Sequence, residues 1–153
     1  MSQPAPQPIA HLGRRYHFSA SHRLHTEALT ADRNREVFGK CNNPFGHGHN
    51  YVVELVFSGP VSPETGMVTN LADLDSFAQR NLLARFDQAN LNTLPCFLET
   101  VSTTENLSTE VWRIFSSYPH ANLERVHIEE TGNNAFDYFG GSIASPAQAP
   151  HHA

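Results

Sequence analysis

Hydrophobic and polar positions alternate with a period of two in three stretches of the chain and recur with helical spacing in two others. Residues 15–24 put Tyr16, Phe18, Ala20 and His22 on one face of an extended segment. Residues 47–57 alternate more clearly. His47, His49, Tyr51, Val53, Leu55 and Phe57 share one face, with Asn50, Val52, Glu54 and Val56 on the other. Residues 123–131 return to the same period, with Val126, Ile128 and Glu130 together. Asn70 can cap a helix whose stripe is Leu71, Leu74, Phe77, Ala78 and Leu82. A second helix opens on Ser102-Thr-Thr-Glu105, a capping-box pattern, and carries Leu107, Val111, Ile114 and Phe115 before Tyr118-Pro119 ends it. Two strands, two helices and a strand, without regular βαβ alternation, predict an α+β domain with helices on one side of an antiparallel sheet.

The segments between are read from turn chemistry. Residues 26–44 are polar and are read as a connection that closes in the turn Asn42-Asn43-Pro44-Phe45-Gly46. Residues 1–11 and 142–153, rich in proline and small residues, read as a disordered leader and tail around a single domain at 12–141. His151 and His152 in that tail read as solvated. A length of 153 residues with 39% hydrophobic residues and 16% charged residues suits one folded domain and excludes a disordered chain. The net charge of −5 argues against a protein that coats nucleic acid. No apolar run reaches membrane-spanning length, and the start lacks the features of a signal peptide. Two cysteines cannot staple a domain of this size, which points to a cytoplasmic setting.

Histidine changes the picture: there are 10, as many as lysine and arginine together. His47 and His49 are separated by Gly48 in a strand, so both imidazoles project from one face, and Gly48 adds no side chain to crowd that edge. His22 ends the matching face of the earlier strand. If the strands pair, three neutral nitrogen ligands converge, a set that suits zinc and leaves a fourth position open. Cys41 lies six residues before His47 in a polar loop. It is a fourth ligand, a base or nucleophile beside an open site, or a bystander thiol. Cys96 reads as a packing residue. Glu130 on an apolar face is either a strand-end carboxylate paired with an arginine or an anchor for a ligand offering two adjacent N–H donors. Asp87 reads as the exit of the first helix. Arg14, Arg15, Arg23, Arg33, Arg35 and Lys40, six of ten basic residues, precede Cys41 as a solvated face or a phosphate pocket.

Five segments together resemble the 6-pyruvoyltetrahydropterin synthase family. They are Phe18-Ser-Ala-Ser-His22-Arg-Leu24, Phe38-Gly-Lys-Cys41 through His47-Gly-His49-Asn-Tyr51, Gly66-Met-Val-Thr-Asn-Leu-Ala-Asp73-Leu74, Val101-Ser-Thr-Thr-Glu105-Asn106 and Glu130-Thr131. The resemblance implies the tunnelling fold: a four-stranded antiparallel sheet with two helices on one face, whose subunits form a barrel. It implies homohexamers of two stacked trimers, with active sites at subunit interfaces. It implies zinc on His22, His47 and His49, Cys41 as the proton-abstracting base, and Glu130 gripping the pterin's amino-pyrimidinone edge. Thr103, Thr104 and Glu105 match a segment that lines the pterin pocket. The implied reaction eliminates triphosphate from 7,8-dihydroneopterin triphosphate to give 6-pyruvoyltetrahydropterin. Side-chain oxidation then matches ring reduction, in keeping with the lack of a dinucleotide fingerprint. One departure stands out: the family follows the Asp with a His that completes a relay to the Cys, whereas Asp87 is followed by Gln88. Glutamine cannot exchange a proton near neutral pH. His25 or solvent then substitutes, the shuttle is slower, or the outcome differs. The alternatives are a relative that cleaves the side chain, as 6-carboxytetrahydropterin synthase does, and a zinc-containing pterin-binding protein without turnover. That relative usually has a shorter spacing between the Cys and His-Gly-His.

Overall fold

The two long alternating stretches form one hairpin-like pair. In the computed structural model, which describes residue 3 and residues 5–142, β1 (Ile9–His22) lies antiparallel to β2 (His47–Pro60) along its whole length. β4 (Asn122–Glu129) pairs with the other side of β2, and β5 (Ala135–Tyr138) pairs antiparallel with β4. A two-residue β3 (Ala89–Asn90) runs parallel to the end of β1, giving the order β3-β1-β2-β4-β5. The expected four antiparallel strands are thus present, with one short parallel strand added at the edge. β1 also starts earlier than expected: residues 9–11, assigned from sequence to the leader, pair with residues 58–60 because β2 extends far enough to receive them. Residues 143–153, most of the expected tail, lie outside the described residues.

Alternation sets the core face. Tyr16, Phe18 and Ala20 of β1, Tyr51, Val53, Leu55 and Phe57 of β2, and Val126 and Ile128 of β4 are all buried. Against them pack α2 (Leu71–Ala78), which continues through a π-turn over residues 79–83 into the one-turn α3 (Ala84–Phe86), and α4 (Thr104–Phe115). Leu74, Leu82, Phe86, Leu107, Val111 and Phe115 from these helices have no exposed surface. Burying one such side chain is worth about 1.5–3 kcal/mol, which is why the stripes and the alternation could be read so directly.

Two local readings shift. The stretch taken as a connection contains α1 (Ala31–Phe38), capped by the Thr30 hydroxyl on the Arg33 N–H. Only Asn34 of this helix is buried, so it has no apolar stripe to announce it. Asn34 instead fixes the loop by accepting from Thr26 N and donating to the carbonyls of Thr26, Leu29 and Thr30. The cap of α4 is Thr103, accepting from Asn106 N, one residue later than the capping-box pattern placed it. That shift frees Ser102 for a different task.

Candidate metal centre and its surroundings

The sheet register brings the histidines together. His22 lies directly opposite His47, and His49 lies opposite Ala20, whose small side chain leaves room on the shared face. One ring nitrogen from each of His22, His47 and His49 lies within 4.8 Å of the others, an arrangement that could hold a metal ion. His22 Nε2 is 3.1 Å from His47 Nε2, and the three rings meet edge to face. His22 is 1% exposed, and its Nδ1–H donates to the Ser102 carbonyl at 2.7 Å. That bond fixes the tautomer and turns the Nε2 lone pair into the cluster. Burial, reinforced by the neighbouring imidazoles against the Ser102 bond, lowers the His22 pKa; burial also lowers that of His49. Both effects favour the neutral form that a metal needs. His49 Nε2 is buried with no hydrogen-bond partner among the described residues. A buried orphan nitrogen is costly, and a metal ion in the cluster would satisfy it. The donor set therefore fits a three-histidine metal site.

Gly46 lets the second strand enter beside the first. Its φ is +70°, and a Cβ there would stand 2.9 Å from the His22 carbonyl oxygen. A Cβ at Gly48 would meet the Ala20 carbonyl at an ordinary 3.5 Å, so that position is less tight than Gly46. Gly46→Ala should therefore destabilise the fold by about 1–3 kcal/mol through the left-handed backbone and the contact with His22. Denaturant unfolding would measure it. Gly48→Ala should cost less.

Glu130 begins the turn after β4, where its N–H donates to Asn134 O. Its Oε1 accepts from Thr104 Oγ1 at 2.6 Å and lies 3.7 Å from His49 Nε2 and 3.8 Å from His22 Nε2. An arginine partner, one of the two readings from sequence, is not present among the described residues. Thr104 is therefore joined to the site. Thr103 caps α4, while Glu105 is exposed and borders a separate hollow with Phe136 and Tyr138. Cys41 is a free, half-buried thiol. Its segment is tied to the end of β1: Leu24 N donates to Cys41 O at 2.8 Å, and Asn42 Nδ2 donates to Leu24 O and to His25 Nδ1. His25 Nε2 also meets Glu27, so both ring nitrogens are engaged.

Asp87 and Gln88 lie at the edge of the sheet, where Gln88 shares a hollow of about 280 Å³ with His49. Asp87 Oδ1 accepts from Ser19 N, and Gln88, at φ +59°, donates its N–H to Ser19 O at 2.6 Å. They hold β3 against the edge of β1, and no hydrogen bond joins either to Cys41 among the described residues. Of the six early basic residues, four are paired: Arg14 with Asp75, Arg15 with Glu54, Arg33 with Glu36, and Arg35 with Asp32.

Three contributors carried no functional reading in the sequence. Ser102 orients His22 through a backbone carbonyl, which no side-chain pattern reveals. Asn42 joins the Cys41 loop to the strand end. Tyr51 was legible as part of the His47–Phe57 face but not as part of the site. It is 1% exposed, and its hydroxyl has no hydrogen-bond partner among the described residues. Burial pushes that phenol above its ordinary range, with the Glu130 charge adding and Cys41 contributing less. An open cavity of about 540 Å³ lies beside His22, bordered by Arg23, His25, Phe45 and Val101.

A family model described as 6-pyruvoyl tetrahydropterin synthase matches residues 11–141. A human 6-pyruvoyl tetrahydrobiopterin synthase is 44% identical over 133 residues, covering 86% of this chain and 92% of the human one. A Drosophila melanogaster protein of the same name is 45% identical over 138 residues, covering 88% and 82%. Among solved structures, that of Caenorhabditis elegans 6-pyruvoyl tetrahydropterin synthase matches with a TM-score of 0.84 and 42% identity, covering 88% of this chain and 98% of that one.

Proposed function

The chain belongs to the 6-pyruvoyl tetrahydropterin synthase family and has its fold, and from that premise we propose that it is a zinc-dependent lyase. The proposed substrate is 7,8-dihydroneopterin triphosphate, converted to 6-pyruvoyltetrahydropterin with loss of triphosphate in tetrahydrobiopterin-type biosynthesis. The observation that carries this reading is the cluster of His22, His47 and His49 beside the Glu130 carboxylate. Zinc held by the three imidazoles would act as a Lewis acid, withdrawing charge from the side-chain hydroxyls and the adjoining C–H positions of a bound pterin.

The remaining work falls to the chain's own groups. Glu130 accepts two adjacent N–H donors of the pterin ring, with the Thr104 hydroxyl holding its Oε1 in place. Cys41 is the base that removes a proton from the side chain and returns it to the ring. Assembly into a cytoplasmic homohexamer is part of the same reading. A relay through Asp87, which Ser19 holds at the edge of the sheet, is part of the same reading.

The experiment is triphosphate release from 7,8-dihydroneopterin triphosphate before and after chelation. Loss of release on chelation and recovery with added zinc is expected; full turnover by metal-free protein would contradict the reading. Glu130→Gln should weaken pterin affinity by about 2–5 kcal/mol while metal content and folding hold, since the amide presents donors to the ligand's own N–H groups. Titration with dihydroneopterin measures it, and loss of metal instead would make Glu130 a ligand. Gln88→His should raise turnover if the relay lacks its proton-exchanging member, by up to about 10²–10⁴-fold. Histidine is among the residues that tolerate the left-handed backbone found there. No change in kcat would assign the relay to another group, with His25 the first to substitute.

A further inference from the structure

Most cations of this chain are spoken for. Seven of the ten basic side chains form ion pairs with carboxylates. Among the described residues, Arg23, Lys40 and Arg80 form none. Two of these three, Arg23 and Lys40, border the same hollow of about 250 Å³, together with Arg35, Asn42 and Asn43 and with no carboxylate in its wall. Arg35 is already bonded to Asp32. Arg23 spends only its Nε, on the Asn42 carbonyl at 3.0 Å, which leaves its two terminal nitrogens for a ligand.

The position of the hollow matters as much as its charge. Arg23 adjoins His22 and Lys40 adjoins Cys41, and the Leu24–Cys41 backbone bond fastens the two segments together. Arg23 also borders the larger cavity beside His22, so one side chain connects the two spaces. The larger cavity contains Glu27 and Glu99 in its wall; the smaller contains no anion. The chain as a whole carries a net charge of −5, which opposes non-specific attraction of a polyanion.

We propose that the hollow between Arg23 and Lys40 is a subsite for a polyphosphate chain, which places the triphosphate of the substrate beyond the end of β1. The assignment rests on the pterin reading for the identity of the substrate, but not for the affinity of the hollow for polyphosphate. Arg23 binds phosphate oxygens through its planar fork, and Lys40 supplies a mobile point charge. Arg80, on the helical segment after α2, plays no part.

The test is calorimetric titration of the zinc-loaded protein with inorganic triphosphate and, separately, with 7,8-dihydroneopterin that carries no phosphate. Wild type should bind triphosphate with an affinity that falls as salt rises. Arg23→Gln and Lys40→Gln should each weaken it by roughly 10- to 100-fold, and the double variant should show no binding. Arg80→Gln, which removes one charge elsewhere, should match wild type. Dihydroneopterin affinity should be equal in all. Lys40 is exposed and its side chain makes no hydrogen bond or ion pair among the described residues, so Lys40→Gln remains informative even if Arg23→Gln unfolds. Unchanged triphosphate affinity in Lys40→Gln and the double variant, or no triphosphate binding by wild type, would overturn the subsite. Triphosphate binding that depends on both residues, without dihydroneopterin binding, would uphold the subsite and defeat the pterin reading.

Discussion

Cys41→Ala should reduce turnover on 7,8-dihydroneopterin triphosphate by about 10²–10⁴-fold or more while metal content and folding stay at wild-type levels. The thiol stands in a short 3-10 turn fastened to the end of β1 through the Leu24–Cys41 bond, and it is not one of the three residues whose nitrogens converge. Alanine leaves that backbone bond intact, so the change removes the sulfur and little else. Pterin affinity should fall far less than kcat, because the ring is held at Glu130. Loss of the metal in this variant would make Cys41 a fourth ligand, and a fully active variant would make it a bystander.

His47→Ala and His49→Ala should each lower metal affinity by more than about 100-fold, beyond the 10- to 100-fold typical of losing only an orienting partner. Three protein donors are the minimum for the site, and His22 alone is fixed by the Ser102 carbonyl. Activity should fall with metal content in both variants. Unfolding stability measured without metal should change little for His47, which is half-buried at the strand end. Full metal occupancy in both variants would remove the basis of the reading.

The sheet and the histidine-bearing face were legible because period-two alternation and register are governed by the same burial. Tyr16 through His22 and His47 through Phe57 had to turn the same way for either strand to bury its apolar residues, and the histidines went with them. Glu130 was legible as an oddity on an apolar stripe, but its partner Thr104 came only from the resemblance. What could not be read depends on backbone and polar contacts without a period. Helix α1 has no apolar stripe, and β5 has four residues. Ser102 acts through its carbonyl, and the close approach at Gly46 has no periodic signal. Lys40 and Arg23 stood out only as two of six early cations until the ion pairs of the other four were seen. Asp87 and Gln88, read as a helix exit, do form one, and Gln88 adds the left-handed residue that turns the chain into β3.

The most direct measurement is the mass of the product formed from 7,8-dihydroneopterin triphosphate by the zinc-loaded protein. The expected product has lost triphosphate and kept every carbon of the side chain. A product with a shortened side chain, or substrate recovered intact, would contradict it.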